Sequence, residues 1–262
     1  MSVRVETLGT LAVREDGRLL QEVPRKPVQA ALLVYLAVER STTRDEVQAL
    51  LWPDSSQERA RRSLNNTLYE LRSLLGAESI RGSGDVLEAA EWLVTDVGEH
   101  EAAAASGRLS EALGLYRAPF LDGHHLAATA GFEQWVDRMR ARVAERQRSI
   151  RKKLVTRLVD EGRTAEALGE ARAWTEQFPL DEEAHYWTIR LLGALGRRAE
   201  AVRVFDALRT RIEDALGAEP DPKLVDAVER VRAGSEVEPH RWDPAAAPGS
   251  PEESPPATVA AT

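Results

Sequence analysis

The sequence contains no cysteine, so it can form neither a disulfide bond nor a thiolate ligand or nucleophile. It also lacks a long hydrophobic segment. The longest apolar run covers residues 30–38, which is far too short to cross a bilayer. The N-terminal residues, MSVRVETLGT, contain no basic region followed by an apolar stretch. These absences predict a cytoplasmic protein with no membrane partner.

Motifs for catalysis and metal binding are absent as well. The chain has no G-x-S-x-G or H-E-x-x-H motif, and no G-x-x-x-x-G-K-[ST] loop to hold the phosphates of ATP. Its five histidines do not follow any metal-ligand spacing. We therefore expect no enzyme activity, no ATP hydrolysis, and no metal or other cofactor.

The net charge of −8 argues against a protein that coats nucleic acid indiscriminately, because its overall field repels phosphates. Residues 55–81 differ from the rest, since they contain five arginines against three glutamates. The segment from Ser235 onward instead carries five acids and one base. Part of the negative charge is thus remote in sequence from the basic segment. The net charge of −8 is therefore compatible with a local surface that binds nucleic acid.

Residues 55–76 predict one amphipathic helix. A helical period aligns an apolar stripe on one side, formed by Ala60, Leu64, Leu68, Leu71 and Leu75. The opposite face is polar and consists of Arg59, Arg62, Asn66, Tyr69 and Ser73, with Asn65 and Arg72 on one flank. We expect the stripe to be buried and Gly76 to end the helix as a left-handed cap. The polar face suits phosphates and base edges, and an ordinary surface helix is the alternative.

A sheet and two helices are predicted before this segment. Apolar residues alternate irregularly over residues 3–13, and Asp16-Gly17 indicates a hairpin turn, so we expect a small antiparallel sheet. Pro24-Arg25-Lys26-Pro27 introduces an apolar helix. Thr43 to Glu46 has the spacing of a capping box and opens a short helix that ends at Trp52-Pro53.

A hairpin is predicted after the amphipathic helix. Ile80 and Val86-Leu87 suit two short strands, and the glycines of Arg81-Gly82-Ser83-Gly84 suit the turn between them. The order of sheet, three helices and hairpin is that of a winged helix-turn-helix, in which the third helix enters the major groove. We assign residues 1–95 to this DNA-binding domain.

Residues 96–233 are predicted to be wholly helical and repetitive. The pattern G-R-x-x-E-A followed by an apolar residue begins at Gly107, Gly162 and Gly196. The last two copies stand 34 residues apart, which is the tetratricopeptide period, whereas the first two are 55 apart and enclose a long helix from about Ala130. The segment 234–262 is rich in Pro, Ala, Ser and Glu and is predicted to be disordered.

Together these segments resemble the SARP-type (Streptomyces antibiotic regulatory protein) transcriptional regulators, in which an OmpR-type winged helix precedes a bacterial transcriptional activator domain (BTAD) of tetratricopeptide-like helices. The resemblance covers residues 1 to about 233. It lies in the order of Leu8-Gly9, Pro24-Arg25-Lys26-Pro27, Leu51-Trp52-Pro53-Asp54, Arg59-Ala60-Arg61-Arg62, Leu71-Arg72, Tyr116-Arg117-Ala118-Pro119-Phe120-Leu121 and Ala215-Leu216-Gly217-Ala218-Glu219-Pro220. It implies binding to promoter repeats in double-stranded DNA, often as a homodimer, and contacts with RNA polymerase.

Two residues are our candidates for base contacts and a larger set for the DNA backbone. Arg62 and Asn66 suit base edges, because Arg pairs with guanine and Asn with adenine in bidentate geometry. The candidate backbone contacts are Arg59, Asn65, Tyr69, Arg72, Ser73, Thr42, Arg44 and Arg81. Each could instead be a solvated surface residue, and for Thr43 a capping role is favoured over phosphate contact.

The hairpin departs from the family pattern. Gly82-Ser83-Gly84-Asp85 replaces an aromatic-containing Gly-Tyr step, and the carboxylate of Asp85 repels phosphates. Between residues 138 and 153 the long helix carries eight basic residues, which are Arg138, Arg140, Arg142, Arg146, Arg148, Arg151, Lys152 and Lys153. These surround the helix, so a solvated or interdomain face is favoured over a second nucleic-acid surface.

The sequence thus predicts a mostly α-helical regulator of transcription that binds DNA through its third helix, and more specifically an activator. The rival interpretation is a tetratricopeptide-like scaffold for protein interactions whose winged helix no longer binds DNA. Net acidity and the weak wing hairpin, in which Arg81 is the only basic residue, favour the rival, and the arginine-rich helix opposes it.

Overall fold

A computed structural model of the protein describes residues 2–20, 26–126 and 129–234. They fall into two compact units, one ending at Ile150 and the other beginning at Arg151. The predicted domain boundary between residues 95 and 96 lies within the first unit and stays a prediction. The Pro24-Arg25 part of the predicted helix entry, and the predicted tail from Ser235 onward, lie outside the described residues.

The described part of the chain is mostly helical, as predicted, with small sheets near its N-terminus. In chain order the elements are β1 (Val3–Glu6), β2 (Ala12–Glu15), β3 (Arg18–Leu19), α1 (Pro27–Glu39), β4 (Ser41–Thr43), α2 (Arg44–Leu51), α3 (Gln57–Leu75), β5 (Ile80–Ser83), β6 (Val86–Ala89), β7 (Leu93–Thr95), α4 (Asp96–Ala105), α5 (Leu109–Leu115), α6 (Ala130–Asp160), α7 (Thr164–Gln177), α8 (Glu182–Ala194), α9 (Arg198–Leu216) and α10 (Pro222–Ala233).

The first sheet has the strand order β3-β2-β1-β7. Asp16 and Gly17 both adopt positive φ, at 43° and 86°, so the tight hairpin turn predicted at this dipeptide is confirmed. β1 pairs antiparallel with β2, and on its other side it pairs parallel with β7. β7 is a strand that the sequence pattern did not predict, and it joins the sheet after three intervening helices and the hairpin.

The second sheet has the order β4-β6-β5. β5 and β6 form the predicted hairpin, which we call the wing, and Gly84 turns it with a φ of 59°. β4, an unpredicted strand, pairs with β6 immediately before α2 begins. The wing is therefore attached by backbone hydrogen bonds to the segment that starts the second helix.

The capping box predicted at Thr43 is present. The Glu46 backbone N–H donates to Oγ1 of Thr43 at 3.2 Å, and the Thr43 backbone N–H donates to Oε2 of Glu46 at 2.9 Å. These bonds satisfy two donors that a helix start would otherwise leave unpaired. They also lower the pKa of the Glu46 carboxyl, chiefly through the Thr43 backbone bond.

The N-terminal half of α6 belongs to the core of the first unit. Phe132, Trp135, Met139 and Val143 are all buried. The Trp135 ring makes an edge contact with Tyr35 of α1 at a centroid distance of 5.1 Å. Its Nε1 donates to Oε1 of Glu39 at 2.7 Å. The helices of the winged helix-turn-helix thus share one hydrophobic core with the start of the long helix.

Asp96 joins β1 to α4. Its buried carboxylate accepts hydrogen bonds from the backbone N–H of Thr7 and of Leu8, each at 2.8 Å, and from the Thr7 hydroxyl at 2.9 Å. A buried carboxylate needs such donors because it has lost its water. Burial raises the pKa of Asp96, and these hydrogen bonds oppose the shift.

In the second unit α7 packs on α8, α8 packs on α9, and α10 packs on both α8 and α9. Gly162 and Gly196, which start two copies of the repeat, have φ of 73° and 71° just before α7 and α9. Gly107 adopts a φ of 73° before α5 in the first unit. The three copies of the sequence repeat therefore make the same left-handed turn into a helix. Trp174, Tyr186, Trp187 and Phe205 are buried between these helices.

Within the described ranges, no helix combines the length and the apolar character needed to cross a membrane.

Candidate nucleic-acid interface

Helix α3 buries the stripe that the sequence predicted. Ala60, Leu64, Leu68, Leu71 and Leu75 are its buried residues, and none is more than 3% exposed. Replacing one such buried leucine by alanine typically costs about 2–5 kcal/mol. This stripe therefore fixes the rotation of the helix, so that the opposite face must point to solvent.

The outer face of α3 consists of five exposed side chains, which are Arg59, Arg62, Asn66, Tyr69 and Ser73. Tyr69 is 74% exposed, which is high for an aromatic side chain. Arg62 donates from Nη2 to Oε1 of Glu58 at 3.0 Å, one turn earlier on the helix. An ion pair as exposed as this one is worth about 0–1 kcal/mol, so a stronger acceptor can replace Glu58.

Gly76 ends α3 where the sequence predicted, but not in the predicted conformation. Its φ of 101° and ψ of 148° lie outside the left-handed helical region, so the prediction of a left-handed cap is wrong. The Gly76 backbone N–H still donates to the Arg72 carbonyl at 2.9 Å and closes the last turn. A turn follows, in which the Ser79 backbone N–H donates to the Gly76 carbonyl at 3.0 Å, and β5 begins directly after it.

The flank of α3 is tied to α2 and to the wing through Arg44. Nη1 of Arg44 donates to Oδ1 of Asn65 at 3.0 Å, and Nε donates to the Gly84 carbonyl at 3.3 Å. The Arg44 backbone N–H also donates to the Asp85 carbonyl at 2.8 Å. Arg44 and Asn65, both predicted to contact the DNA backbone, are thus brought together by the fold.

Arg72 ties the same flank to the first wing strand. It is half-buried, and its Nε donates to the Ile80 carbonyl at 2.9 Å. Arg81, the basic residue of the wing, is exposed and lies 3.8 Å from the carboxylate of Glu78. The structure therefore brings Arg72 to the root of the wing and leaves Arg81 on its outside.

Thr42 is the predicted backbone contact that the structure does not bring to this surface. Its side chain is only 7% exposed, because it lies in β4 against the start of α2. Its hydroxyl donates to Oε2 of Glu46 at 2.8 Å. This bond extends the capping box, so we leave Thr42 out of the interface.

A polar cleft of about 770 Å³ opens between α2, α3 and the wing tip. It is lined by Arg44, Asp45, Gln48, Gln57, Glu58, Arg61, Asn65, Gly84 and Asp85. Arg61 and the two glutamines were not among the predicted contacts. The position of Arg61, four residues before Asn65 and so on the same flank of the helix, is the sequence signal that could have identified it.

Several basic residues of the long helix α6 are engaged in ion pairs. Arg142 and Arg146 both contact the carboxylate of Glu101, at 2.7 Å and 3.3 Å. Arg140 donates to the carbonyl oxygens of Phe120 and Leu121, at 3.0 Å and 3.2 Å. These contacts favour the structural interpretation of the basic run over a second nucleic-acid surface.

Among the residues that the structure describes, no group of three or more histidine and acidic side chains could hold a metal ion.

Residues 87–232 match the family described as the bacterial transcriptional activator domain, and this match covers more than half of the chain. The chain belongs to this family. The description of the family is that of a regulator of transcription. The predicted resemblance to the SARP-type regulators is confirmed by the relatives and the solved structure that follow.

Three curated relatives are regulatory proteins of Streptomyces. The chain is 27% identical over 254 residues to AfsR of Streptomyces griseus, covering 90% of this chain and 25% of AfsR. It is 29% identical over 249 residues to AfsR of Streptomyces coelicolor, covering 88% and 24% of the two proteins. It is 25% identical over 248 residues to DnrI of Streptomyces peucetius, covering 85% and 89%. The chain thus spans about a quarter of the AfsR proteins that it matches.

A solved structure supports the fold. The chain superposes on Mycobacterium tuberculosis EmbR, determined in complex with a low-affinity phosphopeptide, with a TM-score of 0.70 and 23% identity. The superposition covers 90% of this chain and 66% of that EmbR chain. At this level of identity the likeness concerns the architecture, which agrees with the predicted winged helix-turn-helix followed by tetratricopeptide-like helices.

Proposed function

We propose that the protein is a sequence-specific DNA-binding regulator of transcription that acts as an activator. Helix α3 enters the major groove, and its outer face contacts bases and phosphates. The observation that carries this proposal is the outer face of α3: it is polar and basic, and the buried stripe beneath it holds it in a fixed orientation. Membership of the activator domain family supports the same function.

The outer face divides by chemistry into base and backbone contacts. Arg62 and Asn66 lie four residues apart on neighbouring turns, so both can reach base edges in one groove. Arg59, Tyr69 and Ser73 lie beside them along the helix and suit phosphate oxygens. The Glu58 carboxylate gives up Arg62 when the helix binds, because a guanine edge offers this guanidinium two acceptors.

The partners beyond DNA follow from the resemblance to the SARP-type regulators. We propose that the helical region contacts RNA polymerase, and that two copies of the chain bind adjacent promoter repeats, since each copy offers one α3 for one half-site. A dimer of this kind predicts two copies of the recognised sequence separated by a whole number of DNA turns.

Selection from a random duplex library, using the full chain, tests the proposal. We expect one recovered motif, and a logarithm of affinity that falls linearly with the logarithm of salt concentration. In the recovered duplex, Arg62→Ala and Asn66→Ala should each cost about 1–3 kcal/mol and relax the preference at one base position. Ser73→Ala is the matched control on the same face, which should change affinity less and leave base preference unaltered.

The opposite results have a definite meaning. If Arg62→Ala and Asn66→Ala leave both affinity and base preference unchanged, these residues do not contact bases. If selection recovers no motif, the protein-interaction scaffold becomes the better function, which the net charge of −8 and the acidic wing tip at Asp85 favour.

A further inference from the structure

Arg44 and Arg72 come from different helices and meet at one point of the wing. A side-chain carbon built on Gly82 would lie 3.4 Å from Nη2 of Arg44 and 3.5 Å from Nη2 of Arg72. Gly82 itself is exposed. One Nη2 atom of each guanidinium group therefore lies over Gly82, where the backbone carries no side chain.

Both arginines are held in place by other atoms of the guanidinium group. Arg44 uses Nε and Nη1 for the Gly84 carbonyl and the Asn65 side chain. Arg72 uses Nε for the Ile80 carbonyl. These bonds orient each group and leave the Nη2 donors, which converge at Gly82, directed to the same place.

Acidic partners do not account for this convergence. Among the residues that the structure describes, neither Arg44 nor Arg72 forms an ion pair, in contrast to Arg62 and Arg81. Asp45, Glu58 and Asp85 line the cleft with Arg44 but do not pair with it. Two cations placed side by side repel each other, and an anion placed between them relieves that repulsion.

We propose that Arg44 and Arg72 together hold a single phosphate of the DNA backbone, in a two-arginine clamp over Gly82. This inference rests on the proposed DNA-binding function and names a subsite within it. Guanidinium groups bind phosphate through short, charge-assisted hydrogen bonds in a planar fork. The missing side chain of Gly82 leaves the space that a phosphate oxygen needs.

The clamp has a consequence for docking. Its two arginines are bonded to α3 and to the wing, so a phosphate held there fixes both elements against one point of the DNA backbone. Such a contact sets the register of α3 in the groove without distinguishing bases. The clamp thus positions Arg62 and Asn66 and adds affinity that is sensitive to salt.

Salt dependence tests whether the two arginines share one phosphate. With the full chain and its selected duplex, Arg44→Gln and Arg72→Gln should each weaken binding about tenfold, as expected for loss of a charged hydrogen bond. Each should reduce the slope of log affinity against log salt by about 0.9, and the double variant should reduce it by no more than that. Two separate phosphates would instead give a reduction of about 1.8 in the double variant, which overturns the clamp.

Neutral phosphates locate the contact. Methylphosphonates introduced singly along the duplex should reveal one position at which neutralisation weakens binding of the wild type but not of either arginine variant. Arg81→Gln is the matched control, because it removes a wing arginine outside the clamp and should keep the effect at that position. Two distinct positions, one lost with each arginine, would overturn the proposal.

Gly82→Ala tests the space without removing a charge. The φ of Gly82 is not in the left-handed region, so alanine is compatible with its backbone. We expect unchanged thermal stability, weaker binding and loss of the same methylphosphonate effect. This variant keeps the test valid even if Arg44→Gln loosens the wing.

Two further outcomes distinguish failure of the clamp from failure of the proposed DNA-binding function. Wild-type protein that selects no duplex contradicts the proposed function, whereas wild-type binding with no sensitive phosphate position contradicts the clamp alone. In the absence of DNA, inorganic phosphate and chloride are compared at equal ionic strength by the NMR shifts of the two guanidinium groups. Shifts specific to phosphate, combined with an insensitive duplex, would assign the site to a free anion and overturn the DNA clamp.

Discussion

The two compact units are stabilised by contacts of very different sequence range. In the first unit, Thr7 bonds to Asp96 across 89 residues, and Trp135 bonds to Glu39 across 96. In the second unit, Trp174 donates to Asp181 only seven residues away, and successive helices pack on each other. The first unit therefore forms only when remote segments meet, whereas the second can be built from neighbouring helix pairs.

Because the first unit depends on remote contacts, the orientation of α3 is determined by residues far from it in sequence. The outer face of α3 is placed by a core that includes α1 and the start of α6. A change far from α3 in sequence can therefore alter the candidate interface. A change in the second unit is expected to act on its own helix pairs, because repeat-like stability depends on nearest neighbours.

The largest expected effect comes from two tryptophans, one in each unit. Trp135→Ala and Trp174→Ala should each lower the free energy of unfolding by about 3–5 kcal/mol, because each removes a large buried ring. Only Trp135→Ala should reduce the hydrogen-exchange protection of α3 amides and weaken DNA binding. An equal loss of α3 hydrogen-exchange protection in both variants would contradict the conclusion that only the core of the first unit orients α3.

A smaller effect is expected at the three repeat glycines. Gly107→Ala, Gly162→Ala and Gly196→Ala each force a side chain into a left-handed turn, although space around each is open. Each should cost about 1–2 kcal/mol in thermal or urea unfolding of its own unit. Asn at the same positions is the control and should cost less, because it tolerates this conformation better. Unequal costs would show that the three turns are not equivalent.

The smallest effect is the pH dependence carried by one buried histidine in each unit. Burial lowers the pKa of His100, with Arg146 adding to the shift and Glu101 opposing it. Burial also lowers the pKa of His185, with the Asp181 backbone carbonyl opposing it. Since both folded pKa values lie below the unfolded value of about 6.5, each neutral histidine contributes stability above that pH, and this is lost as the pH falls through the folded pKa.

Chemical unfolding between about pH 7.5 and pH 5.5 measures this contribution. His100→Gln should flatten the pH dependence of the first unit, and His185→Gln that of the second. The two variants are controls for each other, because each should leave the pH dependence of the other unit unchanged. A profile for His100→Gln that runs parallel to the wild type would contradict the prediction.

Patterns that act within one turn or one helix were predictable from the sequence. The stripe of Leu64, Leu68, Leu71 and Leu75 follows from helical periodicity, and the capping box at Thr43 follows from a pattern of four consecutive residues. The conformation of Gly76 was not predictable in the same way. Its position marks the helix end, but its ψ is set by where β5 lies, which is a tertiary matter.

At the candidate interface, too, local sequence patterns predicted some features, and tertiary contacts determined the others. The sequence alone identified the outer face of α3, because the face opposite a buried stripe must be exposed. It did not identify that Thr42 is buried, because that depends on the pairing of β4 with a strand more than 40 residues later. Nor did it identify Arg61 as part of the cleft with the wing.

The sequence by itself determined the local elements of this protein: the hairpin turn at Asp16-Gly17, the amphipathic α3 and the repeated turns into helices. Each follows from backbone preferences or from a period within a few residues. Only the tertiary structure decided that β7 joins β1, that α6 completes the core beneath α3, and that Arg44 and Arg72 meet over Gly82. These contacts join remote segments, and no short-range pattern specifies which distant side chains will be neighbours.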